Sequence, residues 1–266
     1  MVESAELVRV DRMTLSGRNR PLRVVVETVH GTQSEAVLKP AGWRELTRKS
    51  VVKELIASQI GALLDVPICS PFLVTCSQAM LETIVDDEIR EGLRTCEWPA
   101  FASKNAGRQW SLWADGQKIN PEQSGSALSI FAFDAFLDNP DRNHNNPNLL
   151  TKGTELRAID HELCFSFTDL LVPPQPPWSN NGLEWMLNPD NKNVLMRPLR
   201  ELLFKDFGDV KLKWTNITDN DLSDILSSLP FNEGDISMFS QTAIERVKGI
   251  RNNIDGCITE LERILS

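Results

Sequence analysis

The sequence predicts an α+β fold with strands gathered in its first third and helices filling most of the rest. Residues 22–39 hold β-branched runs bounded by turn residues, whereas apolar residues at helical spacing dominate from residue 126 onward. The order is strands, one helix and then mostly helices. That order points to segregated elements rather than to regular strand–helix alternation.

Leu22-Arg23-Val24-Val25-Val26-Glu27-Thr28-Val29 reads as a strand ending at the turn signal His30-Gly31, and residues 34–39 are its hairpin partner. Pro40 and Gly42 break the pattern. Residues 50–64 form the first helix, with Val52, Leu55, Ile56, Ile60, Leu63 and Leu64 at helical spacing and Pro67 closing it. Residues 68–75 read as a strand. Ser77 caps a helix that carries Leu81, Ile84, Val85 and Ile89. The apolar segment 98–103 leads into Lys104-Asn105-Ala106-Gly107, taken as the crossing between a first part, 1–104, and a second, 105–266.

In the second part, residues 126–137 are apolar almost throughout and predict a buried helix. Pro173, Pro174, Pro176 and Pro177 mark a loop, since proline lacks the amide hydrogen that helices and central strands need. Thr218 and Asp221 form a capping signal for a helix with Leu222, Ile225, Leu226 and Leu229. A last helix carries an apolar stripe from Ile244 to Leu265.

The chain has 266 residues, 41% hydrophobic and 24% charged, an ordinary globular balance. Its net charge of −9 argues against a chain that wraps nucleic acid or coats anionic lipid. No apolar run is long enough to span a bilayer, and the first residues lack the basic-then-apolar pattern of a signal peptide. Five widely spaced cysteines without a CxxC pair fit a reducing, cytoplasmic setting rather than a disulfide or zinc framework. No tyrosine occurs, so any self-modification on a hydroxyl falls on Ser or Thr. Trp178 and Trp185 flank the proline-rich loop and are candidates for lining an acceptor groove.

The functional signal centres on residues 138–148, Asp-Asn-Pro-Asp-Arg-Asn-His-Asn-Asn-Pro-Asn. Asp141 and Asn146 stand five positions apart, and Asp160 follows the strand-like residues 156–159. An Asp that accepts a hydroxyl proton, an Asn that ligates a metal and a second Asp on a strand end are the parts of a phosphoryl-transfer site. Mg²⁺ takes few protein oxygens and keeps the rest of its shell for water and phosphate, so one Asn and one Asp suffice. A loop built only of Asx turns is the rival reading of the cluster. A calcium loop fails, because Asn146 stands where Gly is required and Lys152 where Glu is required.

Upstream, Lys39 ends an apolar strand and Glu54 lies on the next helix. A strand lysine held by a helix glutamate neutralises nucleotide phosphates in kinase-like sites. The alternative is two solvated surface charges. The turn at residues 14–21 offers Ser16, Gly17 and Arg18, which either close over phosphates or form a plain basic turn.

In this order the chain resembles the HipA-like kinases, most closely their short single-module members, and more distantly the phosphoinositide kinases. Asp141-Arg142-Asn143-His144-Asn145-Asn146 is similar to their catalytic loop and Arg157-Ala158-Ile159-Asp160 to the strand with the second metal ligand. Val37-Leu38-Lys39-Pro40, Lys53-Glu54 and Leu63-Leu64-Asp65-Val66-Pro67 resemble their amino-terminal lobe. The resemblance implies a two-lobed protein-kinase-like fold, ATP with Mg²⁺, and transfer of the γ-phosphate to a hydroxyl, with protein Ser/Thr as the leading acceptor. It further implies Asp141 as base, Asn146 and Asp160 as metal ligands, Lys39 with Glu54 at the ATP phosphates, and Lys104 near the hinge. The family's toxins act with an antitoxin partner protein, and that role comes with the resemblance. The chain departs from the family at Asn143, where a His is usual, and at Asp160-His161-Glu162, where many kinases have Asp-Phe-Gly. These departures keep open a nucleotide-binding pseudokinase that acts as an interaction module. A small-molecule acceptor is open as well, because these motifs do not encode the acceptor.

Overall fold

The structure is a computed structural model that describes residues 2–14 and 19–266. Its first part is a closed barrel built from β1 (Glu3–Met13), β2 (Leu22–Thr28), β3 (Gln33–Ala41), β4 (Pro71–Thr75) and β5 (Glu97–Lys104), in the order β1-β2-β3-β5-β4. The β2–β3 hairpin pairs Leu22 with Leu38 and Glu27 with Gln33 around a turn where Gly31 takes a positive φ of 76°. Closure comes from a parallel pairing of Glu3–Glu6 with Phe72–Thr75. Leu7, Leu22, Val24, Val26, Leu38, Phe72 and Val74 fill the interior.

Strand β1 was not anticipated. Only Ala5 and Leu7 among its residues are buried, so its hydrophobic period is weak. Pro40 lies inside β3, where the pairing with β5 shifts register between Lys39 and Ala41, a bulge that spares the missing proline amide. The strand expected over 68–75 starts only at Pro71.

Helix α1 (Arg48–Leu63) follows β3, and Thr47 caps it in a reciprocal box with Ser50. Residues 51–61 are all buried, because α1 touches β3, β4 and β5 of the barrel as well as the carboxy-terminal helices. The single helix expected after Ser77 is two, α2 (Gln78–Glu82) and α3 (Asp87–Arg94). Asp86 opens the second by accepting the Ile89 amide, and this leaves Val85 exposed between them.

The second part is built on α4 (Ser124–Phe136), buried from Ile130 to Phe136. A small antiparallel sheet of β6 (Ser111–Leu112), β7 (Leu149–Lys152) and β8 (Glu155–Ala158) lies beside it. The remaining helices are α5 (Met196–Arg200), α6 (Gly208–Thr215), α7 (Asp219–Ser227), α8 (Gly234–Asn252) and α9 (Ile254–Leu265). The Thr218–Asp221 capping box forms as the sequence predicts. The long final helix divides at Asn253, whose amide side chain donates to the Gly249 carbonyl at 2.8 Å and competes with the helical ladder.

Two apolar cores result, one inside the barrel and one joining α1, α4, the small sheet and the later helices. Helix α1 therefore lies between barrel strands β3 and β4 in sequence but is packed into the second core. Mixed strand and helix content is as expected, whereas the closure of the strands into a barrel was not read from the sequence.

Candidate active site

Lys39 is a strand residue that faces away from the barrel interior and lies beneath α1, 6% exposed. Its Nζ donates to Glu54 Oε1 at 2.5 Å and to Asp160 Oδ1 at 2.7 Å, and lies 3.6 Å from Glu162 Oε2. One ammonium thus meets three carboxylates from two distant segments. Burial disfavours the Lys39 charge, but Asp160, Glu54 and Glu162 outweigh it and raise its pKa. For the buried Glu54 the balance is reversed. Burial alone would raise its pKa, while Lys39 and His161 bring it below the usual range.

The segment after β8 carries the rest of this cluster. Asp160 has a positive φ of 61°, a conformation that Asp and Asn adopt more readily than other side chains. The backbone amide of His161 donates to Glu54 Oε2 at 3.1 Å, and its ring packs edge-on against Phe133. That is a structural setting for His161. Glu162 Oε1 accepts from Asn19 Nδ2 at 3.1 Å, while Oε2 is buried without a hydrogen bond. Burial is the main cause that raises the Glu162 pKa. Sequence reasoning did not single out Glu162. Its signal was a second carboxylate two residues after an assigned metal ligand, at the position where many kinases have Gly.

The loop between α4 and β7 is held from below by a buried network. Asp134, inside α4, accepts from Arg142 Nε at 2.6 Å, from Arg142 Nη2 at 3.1 Å, and from Asn139 and Asn193 Nδ2 at 2.8 Å each. Arg142 also donates to the carbonyls of Asn148 and Ile159. This arginine therefore ties the loop to the segment that carries Asp160. Neither Asp134 nor this use of Arg142 was anticipated, although a lone Asp in an otherwise apolar helix was the available signal.

Above that base, Asp141 Oδ2 accepts from Asn146 Nδ2 and from Asn148 Nδ2, both at 2.8 Å. Burial raises the Asp141 pKa and the nearby Asp160 charge adds to it, against the two amide bonds. Asn143 turns inward: its Oδ1 accepts the amides of Asn145 and Asn146, at 3.0 and 3.2 Å, and so shapes the loop. Asp138 and Asn139 are buried. Asp138 Oδ2 lies 3.4 Å from Arg246 Nη1 of α8, and burial, opposed by that arginine, pushes its carboxyl up to about 7.

Among the sequence-predicted residues, the structure joins Lys39, Glu54 and Asp160 in one cluster and Asp141 with Asn146 in a second. Asn148 links the two: its carbonyl accepts the amide of Ile159, next to Asp160, at 2.9 Å, and its side chain donates to Asp141. Lys104 is exposed at the end of β5, where it pairs with Ala36, three positions along from the Lys39–Phe101 pair. Ser16, Gly17 and Arg18 lie outside the described residues. Trp178 packs on α8 and α9, close enough that any side chain at Gly249 or Gly256 would collide with it.

Oxygen atoms of Glu54, Asp160 and Glu162 lie within 4.8 Å of one another. This all-carboxylate donor set and the unbonded Glu162 Oε2 suit a hard divalent cation, which prefers oxygen ligands.

Residues 40–170 match the model of the HipA-like kinase family. No curated protein matches the chain. Among solved structures, the chain is similar to the proinflammatory kinase CtkA of Helicobacter pylori, at 15% identity, 98% coverage of both chains and a TM-score of 0.54. At that identity the likeness concerns the fold. The hydra Fam20 structure aligns at 10% identity over 97% of this chain and 87% of its own, with a TM-score of 0.47.

Proposed function

Given that residues 40–170 carry the match to the HipA-like kinases, we propose that the protein is an ATP- and Mg²⁺-dependent phosphotransferase acting on a hydroxyl, with protein Ser/Thr as the acceptor class. The observation that carries the reading is the buried Lys39–Glu54 pair, whose lysine also reaches Asp160. An ammonium fixed by a helix glutamate beside an acidic metal-ligand position is the arrangement phosphoryl transfer requires. In this reading residues 1–104 and 105–266 act as two lobes, with Lys104 near the hinge between them.

Each residue then has a task. Lys39 neutralises phosphate oxygens and Glu54 keeps its ammonium aimed. Asp160 and Asn146 would hold the cation, with Glu162 as a further oxygen ligand. Mg²⁺, when bound, offsets negative charge developing on the phosphate oxygens. Asp141 takes the proton of the attacking hydroxyl, held in place by the amides of Asn146 and Asn148. The hydroxyl oxygen bonds to the γ-phosphorus as the bond to the ADP oxygen breaks.

Asp141→Ala is expected to lower Mg²⁺-dependent phosphate transfer by about 10²- to 10⁴-fold, the range for loss of a general base. Radiolabelled γ-phosphate transfer to the chain itself and to protein extracts reads the effect. A wild-type protein that binds ATP but transfers nothing would replace this reading with a pseudokinase. Asn143 motivates that second reading, because it occupies the usual His position and is used to shape the loop. The toxin role and an antitoxin partner rest on the family match alone.

A further inference from the structure

Nine residues beyond Asp160, a second set of charges crosses between the same two segments. Asp169 Oδ1 lies 2.5 Å from Lys49 Nζ, and Asp169 Oδ2 lies 2.6 Å from Lys53 Nζ. Both lysines belong to α1, one turn apart, and Lys53 immediately precedes Glu54. The Lys53 side chain is only 4% exposed. A buried ammonium is stable only where a carboxylate or comparable partner meets it. Burial works against the Asp169 charge, yet the hydrogen bonds and charges of Lys49 and Lys53 keep its pKa lowered.

The surroundings make this contact a fixed point. Lys49 and Lys53 both sit over the ring of Phe239 of α8, at 4.9 and 5.9 Å from its centroid. Phe165, from the same segment as Asp169, packs edge-on against that ring. Thr168 Oγ1 donates to the Phe165 carbonyl at 2.9 Å and closes the short helical turn Ser166–Asp169. Residues 160–169 are therefore attached to α1 at both ends, through Glu54 with Lys39 and His161 at one end and through Lys49 and Lys53 at the other.

We propose that Asp169 is a positioning residue, a clamp that fixes the rotation and height of α1 so that Glu54 stays on Lys39. The catalytic part of this inference rests on the phosphotransfer reading above, whereas the clamp itself does not. Half of the Asp169 side chain faces solvent, 46% exposed, so the clamp can open without unfolding the core.

Three variants of the full chain test it: Asp169→Asn, Asp169→Glu and Lys53→Met. The last removes the buried half of the clamp, leaving only the more exposed Lys49 pair and no buried charge, so it serves even if Asp169→Asn fails to fold. Phosphate transfer at varied ATP concentration and amide hydrogen exchange over residues 48–63 are measured for each. Asp169→Asn and Lys53→Met are expected to lower kcat about tenfold or more, with a smaller change in KM for ATP, as for a misplaced catalytic group. Both should speed exchange in 48–63, and Asp169→Glu should restore rate and protection. Wild-type exchange in both clamp-breaking variants would overturn the proposal, as would an Asp169→Glu protein as slow as Asp169→Asn. A wild-type chain that transfers no phosphate, with exchange still quickened in the variants, would sink the phosphotransfer reading and leave the clamp standing.

Discussion

At the scale of single residues, the site runs on carboxylates whose surroundings differ. Glu54 is ionised deep in the protein because Lys39 and His161 face it, whereas burial leaves Asp138 pushed up to about 7 with only Arg246 opposite. The consequence for pH has a definite sign. A carboxyl whose folded pKa lies above its unfolded value of roughly 4 contributes stability that is complete below pH 4 and is lost as pH rises through the folded value. Asp138 should therefore favour the folded state less at pH 7.5 than at pH 5. Asp138→Asn is expected to flatten that part of the pH–stability curve, by on the order of 2 kcal/mol, in urea melts at the two pH values. A variant whose curve parallels the wild type would show that Arg246 keeps Asp138 ionised throughout. The four left-handed residues around the site, Asp138, Asn148, Asp160 and Phe165, fit the same picture. Three are the Asp or Asn that this conformation tolerates, which explains part of the Asx-rich composition without chemistry.

At the scale of elements, α1 is the piece on which the site depends, since Lys49, Lys53 and Glu54 all project from it. Its start is set by Thr47 and Ser50, each side chain accepting the other's backbone amide. Thr47→Ala should cost about 1 kcal/mol, the usual effect of an N-cap, read as a lower urea midpoint with an unchanged slope. Much of the element plan was legible in the sequence. The β2–β3 hairpin, α1, α4 and the α7 cap follow from local period and capping, and each has a strong local signal. The failures share a cause as well. Strand β1 is mostly solvent-facing, the α2–α3 break depends on an Asp86 cap inside an apolar pattern, and the α8–α9 break depends on one asparagine side chain. Lys39, Glu54, Asp141, Asn146 and Asp160 were legible because their types and order are chemically unusual. Asp134, Glu162 and Asp169 were not, because an acid's value there comes from partners elsewhere in the chain, 8 positions away for Asp134 and Arg142, 116 for Asp169 and Lys53 and 123 for Glu162 and Lys39.

At the scale of the whole molecule, two cores meet at a helix that belongs to one by sequence and to the other by packing. The charged pairs that cross from β3 and α1 to residues 160–169 join the two parts beside that shared helix. The closure of the barrel adds a constraint of another kind. The parallel pairing that completes it uses the first few residues of the described chain, Glu3–Glu6, against β4. Removing residues 2–6 would uncover one side of β4 as an unpaired row of amides and carbonyls beside Phe72 and Val74, a template for another strand. Such a truncated protein is expected to self-associate, visible as concentration-dependent large species in size-exclusion chromatography, where the intact chain does not grow with concentration in the same way.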